Sequence, residues 1–209
     1  MNMKKMLAGV LAFAVVLLSA CGDDEKAAPK SQFNFNGDAV SLTDANLYLI
    51  YEDEDGSGHI YRDYFISDGV YNQEGSGWSM SSYTGATYLI AFEAGVPVAE
   101  EVLSKGEYPL YSSFSEAPEN ANVGWFSFES DAAYYETPDG IIGGDPIVLS
   151  GSFDDGDTMV VKFNGTLEYY GEGSSEEFSG KFYFKGEVQD MRSVPTLLRN
   201  ASAKGGSKQ

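Results

Sequence analysis

The sharpest chemical pattern in this chain is Asp53-Glu54-Asp55-Gly56-Ser57-Gly58-His59-Ile60, which follows the first eight positions of an EF-hand calcium loop. Hard cations take oxygen donors. Asp53, Asp55 and Ser57 stand at positions one, three and five, Gly58 at the sharp turn of position six, and the His59 carbonyl at position seven. The twelfth position, where a bidentate Glu belongs, is Tyr64, with Asp63 one place early. Two readings stay open: a weak calcium site on a β-hairpin, or an acidic hairpin tip between Tyr51 and Ile60 that needs no cofactor. A second set is aromatic. Tyr71, Trp78, Tyr83, Tyr111, Trp125, Tyr134 and Tyr135 fall in or beside Gly- and Ser-rich segments, where a sugar can stack on a ring. The same rings serve equally to fill a core or cap its edges, and Trp78 and Trp125 are the ligand-binding candidates among them. A third set is the carboxylates. With 32 acidic residues, close pairs arise by chance. Glycosidase chemistry requires two of them held roughly 5 to 9 Å apart across a cleft, which strand periodicity does not reveal.

Other chemistry is narrowed by what is scarce. His59 is the only histidine and Cys21 the only cysteine, so serine-histidine, cysteine-histidine and multi-histidine metal sites have at most one ring to draw on, and no intrachain disulfide forms. No phosphate loop, thiolate cluster or zinc-helix signature is present, and no catalytic residue is assigned. The formal charge of −19 opposes nucleic-acid binding, which rests on Lys and Arg neutralising phosphates.

The elements that must carry these residues alternate with period two from Phe33 onward. Asn36-Gly37, Asp55-Gly56, Asp68-Gly69, Asp139-Gly140 and Asp155-Gly156 are candidate tight turns, because both residue types tolerate positive φ. Leu47, Leu49 and Tyr51 alternate with Asn46, Tyr48 and Glu52. From His59 to Ser67, Ile60, Arg62, Tyr64 and Ile66 share one face, and Tyr61, Asp63 and Phe65 share the other. Tyr88 to Phe92 is apolar on both faces and reads as a central strand. Met159 to Tyr169 and Phe178 to Val188 form the clearest amphipathic pair, separated by a loop at Gly171 to Glu176, with Gly180 and Gly186 on the inward face. No sustained helical stripe occurs, and Val98 to Leu103 makes at most one or two turns. The expectation is an all-β fold, an antiparallel β-sandwich of roughly nine or ten strands over residues 33–190, with a closed or partly open barrel as the alternative. Residues 191–209, ending in Ala201 to Gln209, a stretch rich in Ser, Gly and Lys, read as a disordered tail.

The N-terminus sets the location. Met1 to Lys5 is basic, Met6 to Leu18 is an apolar run of 13 residues, and Leu18-Ser19-Ala20-Cys21 follows. The run falls short of the ~20 residues needed to cross a bilayer. The segment resembles a bacterial lipoprotein signal with a lipobox, which implies removal of residues 1–20 and lipid attachment at Cys21. Loss of Lys4 and Lys5 then takes the net charge from −19 to −21. Residues 21–32 read as a polar tether, and its Asp23-Asp24-Glu25 resembles the export signal of surface lipoproteins of Bacteroidetes.

Further along, Phe33-Asn34-Phe35-Asn36-Gly37 with Val40 to Leu42, Gly106-Glu107-Tyr108-Pro109-Leu110, Ile147 to Ser150 leading through Asp154-Asp155-Gly156-Asp157 into Met159 to Phe163, and Phe178-Ser179-Gly180 resemble the small β-sandwich lipoproteins of Bacteroidetes. The resemblance covers most of residues 33–190 and implies a fold and a place, an outer-membrane lipoprotein facing the cell exterior, rather than an activity. Asp157-Thr158-Met159 likewise resembles a short O-glycosylation acceptor, placing the modification at Thr158. The expected function is a non-catalytic binding or interaction module, with a glycan or an envelope protein as partner. The alternative is a carboxylate-dependent hydrolase.

Overall fold

A computed structural model describes residues 30–35, 38–54, 58–72, 77–100, 103–131, 133–171 and 174–192. Cys21, Asp23, Asp24, Glu25, Asp55 and Ser57 lie outside them. The described chain is all-β, with thirteen strands: β1 (Gln32–Phe35), β2 (Asp38–Ser41), β3 (Asn46–Glu54), β4 (His59–Ser67), β5 (Val70–Tyr71), β6 (Tyr83–Thr84), β7 (Tyr88–Pro97), β8 (Gly106–Tyr108), β9 (Val123–Ser130), β10 (Ala133–Glu136), β11 (Ile147–Gly151), β12 (Thr158–Gly171) and β13 (Ser174–Asp190). Between the strands, the region expected to make a turn or two of helix gives a single 3-10 turn at Val98–Glu100.

Eleven strands form one sheet in the order β2-β1-β13-β3-β4-β7-β9-β10-β12-β11-β8, and β5 and β6 form a second, small one. The all-β sandwich character is as expected, with more strands than the nine or ten anticipated. β12 and β13 also pair with each other, so the large sheet folds over and its two halves share these strands. It is not a regular closed barrel, since β10 meets β12 over only two residue pairs. The expected all-antiparallel pairing is corrected: Val188 to Asp190 of β13 run parallel to Leu47 to Leu49 of β3.

The core lies between the two halves. Phe126 on β9 stacks on Phe163 of β12 with ring centroids 5.0 Å apart and meets Phe182 of β13 edge-on at 5.4 Å. Phe33 of β1 completes the group at 4.9 Å from Phe128. Burial of such large rings is the main stabilising term of a sandwich of this kind. Gly180 has the role its inward position suggests, because a Cβ there would come within 3.3 Å of both Phe33 and Leu167. The β12–β13 ladder runs from Thr158↔Glu187 to Gly171↔Ser174, so Gly171 and Ser174 to Glu176, expected in a loop, are paired strand residues.

β3, β4, β7 and β9 are buried on both faces over part of their length, as the doubly apolar run in β7 anticipated. Their inward side chains join the main core. Tyr48, Phe65, Leu89 and Ala91 point outward and are covered by the segment from β5 to β6, chiefly through Tyr83, Tyr71 and Met80. The alternation expected along β3 breaks at a bulge between Leu49 and Tyr51. A bulge adds one residue and exchanges the faces of everything beyond it. Tyr51 therefore turns outward, opposite Asp63, and Glu52 turns to the side of Arg62. Glu52 is ion-paired to Arg62 and, at 2.7 Å, to Arg192, which in turn holds Asp190 at 2.6 Å. Arg192 and Met191, whose N–H donates to the Leu49 carbonyl at 2.8 Å, are thus tied to β3.

Candidate functional site

The site grows from register. In three consecutive strands, Asp63 of β4 faces Glu93 of β7, and Glu93 faces Trp125 of β9. Tyr51 of β3 stands opposite Asp63 on the other side. Directly opposed residues in antiparallel strands hold their Cβ atoms roughly 5 Å apart, so this row forms one continuous outer strip. Trp78 comes to it from the β5–β6 segment. Its ring lies 5.0 Å from Phe65, nearly perpendicular, and 5.8 Å from Trp125. Further along β4, Tyr61 contacts Tyr51 at 6.2 Å and Phe114 at 6.0 Å.

The turn that delivers Trp78 is built for the purpose. Gly77 has φ +85°, which L side chains rarely adopt, and a Cβ there would meet Ile50 at 3.0 Å. The Gly77 carbonyl accepts the Tyr83 hydroxyl at 3.0 Å, and the Met80 N–H donates to the Glu129 carboxylate of β9 at 3.3 Å. Trp78 is consequently held although it is 42% exposed. Trp125 and Glu93 are half-buried, and Tyr51 at the opposite rim is 44% exposed.

Asp63 lies in this strip between Tyr51 and Glu93. It is only 2% exposed, and its Oδ1 has no hydrogen-bond partner among the described residues. Burial, which disfavours the charged form, and then the neighbouring Glu93 carboxylate push its pKa up to about 8. Tyr61 is raised to about 12 by burial and then by the acids around it, Asp63 among them.

The two tryptophans singled out in the sequence, distant along the chain, are thus brought together. The remaining candidates are dispersed. Tyr83, Tyr111 and Tyr135 are buried, so as an exposed platform they are corrected to core or edge-capping residues. His59 is fully buried, with Nε2 3.0 Å from the Ala121 carbonyl oxygen. Asp53 stands at the exposed end of β3, its carboxylate accepting the Tyr51 hydroxyl at 2.7 Å and the Glu54 N–H at 2.8 Å, which hold its pKa low. The segment is flanked by strands, where an EF-hand loop has helices, and no group of three or more metal-ligating side chains is found among the described residues. Thr158 is exposed, as the first residue of β12. Sequence reading missed Asp63, Glu93 and Tyr51 as members of a site. The usable signal was an acid on the outward face of β4 between the aromatics Tyr61 and Phe65.

A separate cavity of about 340 Å³, lined by Leu110, Ile141, Gly144, Asp145 and Thr166 among others, contains neither tryptophan nor the carboxylate pair. A scan against protein-family models matches nothing in this chain, and comparison with curated proteins and with solved structures returns no significant match.

Proposed function

We propose that the protein is a lipid-anchored module of the bacterial cell envelope, held by Cys21, that binds a glycan on the outward aromatic strip of its sheet. The observation that carries the binding role is the convergence of Trp78 and Trp125 at 5.8 Å, with Trp78 exposed on a fixed turn. A flat, rigid indole offers a large apolar face at little entropic cost, which suits the C–H face of a sugar ring. Glycan-array retention tests this. Trp78→Ala and Trp125→Ala each reduce retention at least roughly tenfold, the loss of ~1.4 kcal/mol of binding that one stacked ring supplies. Retention that survives both changes rejects these rings. The anchoring is tested by trypsin treatment of intact cells: a domain cleaved before lysis faces outward, and one protected until lysis lies inside.

One observation favours a second reading, a carboxylate hydrolase: Asp63 and Glu93 face each other on neighbouring strands, and Asp63 holds a proton near neutral pH. The binding role is preferred because Asp63 is almost wholly buried, so it cannot reach a glycosidic oxygen without displacement of what covers it. Turnover of aryl glycosides that Asp63→Asn abolishes would reverse that preference.

A further inference from the structure

We propose that the lysines on the outer face of β12 and β13 form a docking surface for the anionic headgroups of a membrane. With 13 Lys and Arg against 32 acids, cations are scarce in this chain and their placement is informative. Among the described residues Arg62 and Arg192 are ion-paired to acids, and Lys105 precedes β8. The other cations, Lys30, Lys162, Lys181 and Lys185, converge on one place. Lys162 of β12 stands opposite Tyr183, and Lys181 and Lys185 flank Tyr183 on the same face of β13. Diagonal neighbours of this kind lie roughly 7 to 8 Å apart. Lys30 adjoins them, because the Ser31 hydroxyl accepts the Lys185 N–H at 3.1 Å. All four are exposed, and none makes an ion pair with a described residue.

The surroundings suit a headgroup layer. Asn34 of β1 and Asn164 of β12 face Lys181 from its two sides, and Gln32 faces Tyr183, so amide donors border the ammonium groups. Glu177 and Glu187, toward the two ends of β13, and Glu107 of β8 stand at the margins, Glu107 lying two strands from Lys162 or roughly 10 Å away. Physiological salt screens exposed charges beyond about 8 Å, so the local patch outweighs the distant acids where it meets a surface. Like charges held side by side cost stability, and an anionic surface removes that cost. The patch also lies where the tether enters. Lys30 follows Cys21 by nine residues, so an anchor at Cys21 keeps this face within on the order of 30 Å of the bilayer. β12 and β13 pack across the core from β9, as Phe163 and Phe182 meet Phe126, so the outer faces of the two halves point in opposite directions. With its lysines on the headgroups, the domain turns Trp78 and Trp125 away from the membrane. The inference rests on the anchor of the reading above and not on its glycan.

The experiment follows amine acetylation of the full protein, extracted in detergent and reconstituted with vesicles of phosphatidylcholine alone or with about 30% phosphatidylglycerol. Peptide mass spectrometry reads each lysine, with Lys105 as the internal reference. In the anionic vesicles Lys162, Lys181 and Lys185 are expected to react at least roughly fivefold more slowly than in the zwitterionic ones, Lys105 to change less than about twofold, and about 0.5 M salt to remove the difference. Equal rates in the two vesicles, or equal protection of Lys105, overturn the docking surface. Protection already present in detergent alone assigns the lysines to contacts within the protein or with a second copy, and overturns it as well. Protection by dextran sulfate with none from vesicles gives the face to a soluble polyanion and overturns the membrane as partner. Flotation separates the face from the anchor. Protein that floats with both vesicles without selective protection keeps the anchor and loses the face. Protein that floats only with the anionic vesicles keeps the face and loses the anchor, and protein that floats with neither loses both.

Discussion

Two rows of side chains, one residue apart on the same three strands, carry opposite chemistry. Inward, Tyr64, Phe92 and Phe126 face one another across β4, β7 and β9, all fully buried, with Tyr64 and Phe92 stacked at 5.0 Å. Outward, the neighbouring residues are Asp63, Glu93 and Trp125. The inner row is completed by the other half of the folded sheet, which supplies Phe163 and Phe182. Among the described residues, no second half of the sheet packs on the outer row. The β5–β6 segment covers Tyr48, Phe65, Leu89 and Ala91 and reaches the strip through the ring of Trp78. The same backbone thus supports one face packed into the core and another that mixes acids with partly exposed rings, and each keeps one buried polar atom without a hydrogen-bond partner among the described residues, the Tyr64 hydroxyl inside and Asp63 Oδ1 outside.

The largest expected effect lies on the inner side. Phe126→Ala removes a ring that touches Phe33, Phe163 and Phe182 at once, and a cavity walled by β-sheet on both sides collapses poorly. A loss of about 4 kcal/mol in urea unfolding is expected. A loss under about 1.5 kcal/mol would show that the two halves repack freely and that the inner row is no more fixed than the outer.

The outer row is expected to reveal itself through pH. The Asp63 carboxyl keeps its proton to about pH 8 in the folded chain, against an ordinary value of 3.8, because burial and then Glu93 disfavour its charge. Between those values the folded state holds a proton that the unfolded state has lost, so this group makes stability fall as pH rises through that window and level off above it. At about 1.4 kcal/mol per unit the shift bounds the swing near 6 kcal/mol. Structural relaxation and water entry on ionisation bring the expected swing to about 3 kcal/mol. Asp63→Asn should remove this slope, leaving the variant more stable than the wild type at pH 8.5 but not at pH 4. Parallel pH profiles for the two proteins would remove Asp63 as the titrating group.

How far this contrast was legible in the sequence follows from what each face depends on. The inward and outward assignment of β4 was readable, because period two is a local property and His59 to Ser67 has no irregularity. The antiparallel pairing of β1 with β2 on either side of Asn36-Gly37 was equally readable, although those two residues lie outside the described ones. Tyr51 was placed on the wrong face because a single bulge residue, invisible to alternation, inverts the strand beyond it. The meeting of Trp78 with Trp125 and of Asp63 with Glu93 depends on which strands are neighbours and in what register. Both are long-range choices, and strand periodicity is the same for every strand order. The parallel β13–β3 contact was hidden for the same reason.

The smallest expected effect on stability is at Trp78, and there the two rows differ most in kind. Trp78 leaves 42% of its surface in water, and its neighbours Phe65 and Trp125 are held by β4 and β9 without it. Its turn is fastened by the Tyr83–Gly77 and Met80–Glu129 hydrogen bonds, neither of which involves the indole. Trp78→Ala is therefore expected to lower stability by no more than about 1 kcal/mol while removing most glycan retention. A core residue behaves in the opposite way, because its contacts are spent within the chain and its loss is felt as unfolding. Should Trp78→Ala instead cost as much as Phe126→Ala, the indole is a lid on the outer core rather than a surface for a partner, and the contrast between the two rows collapses.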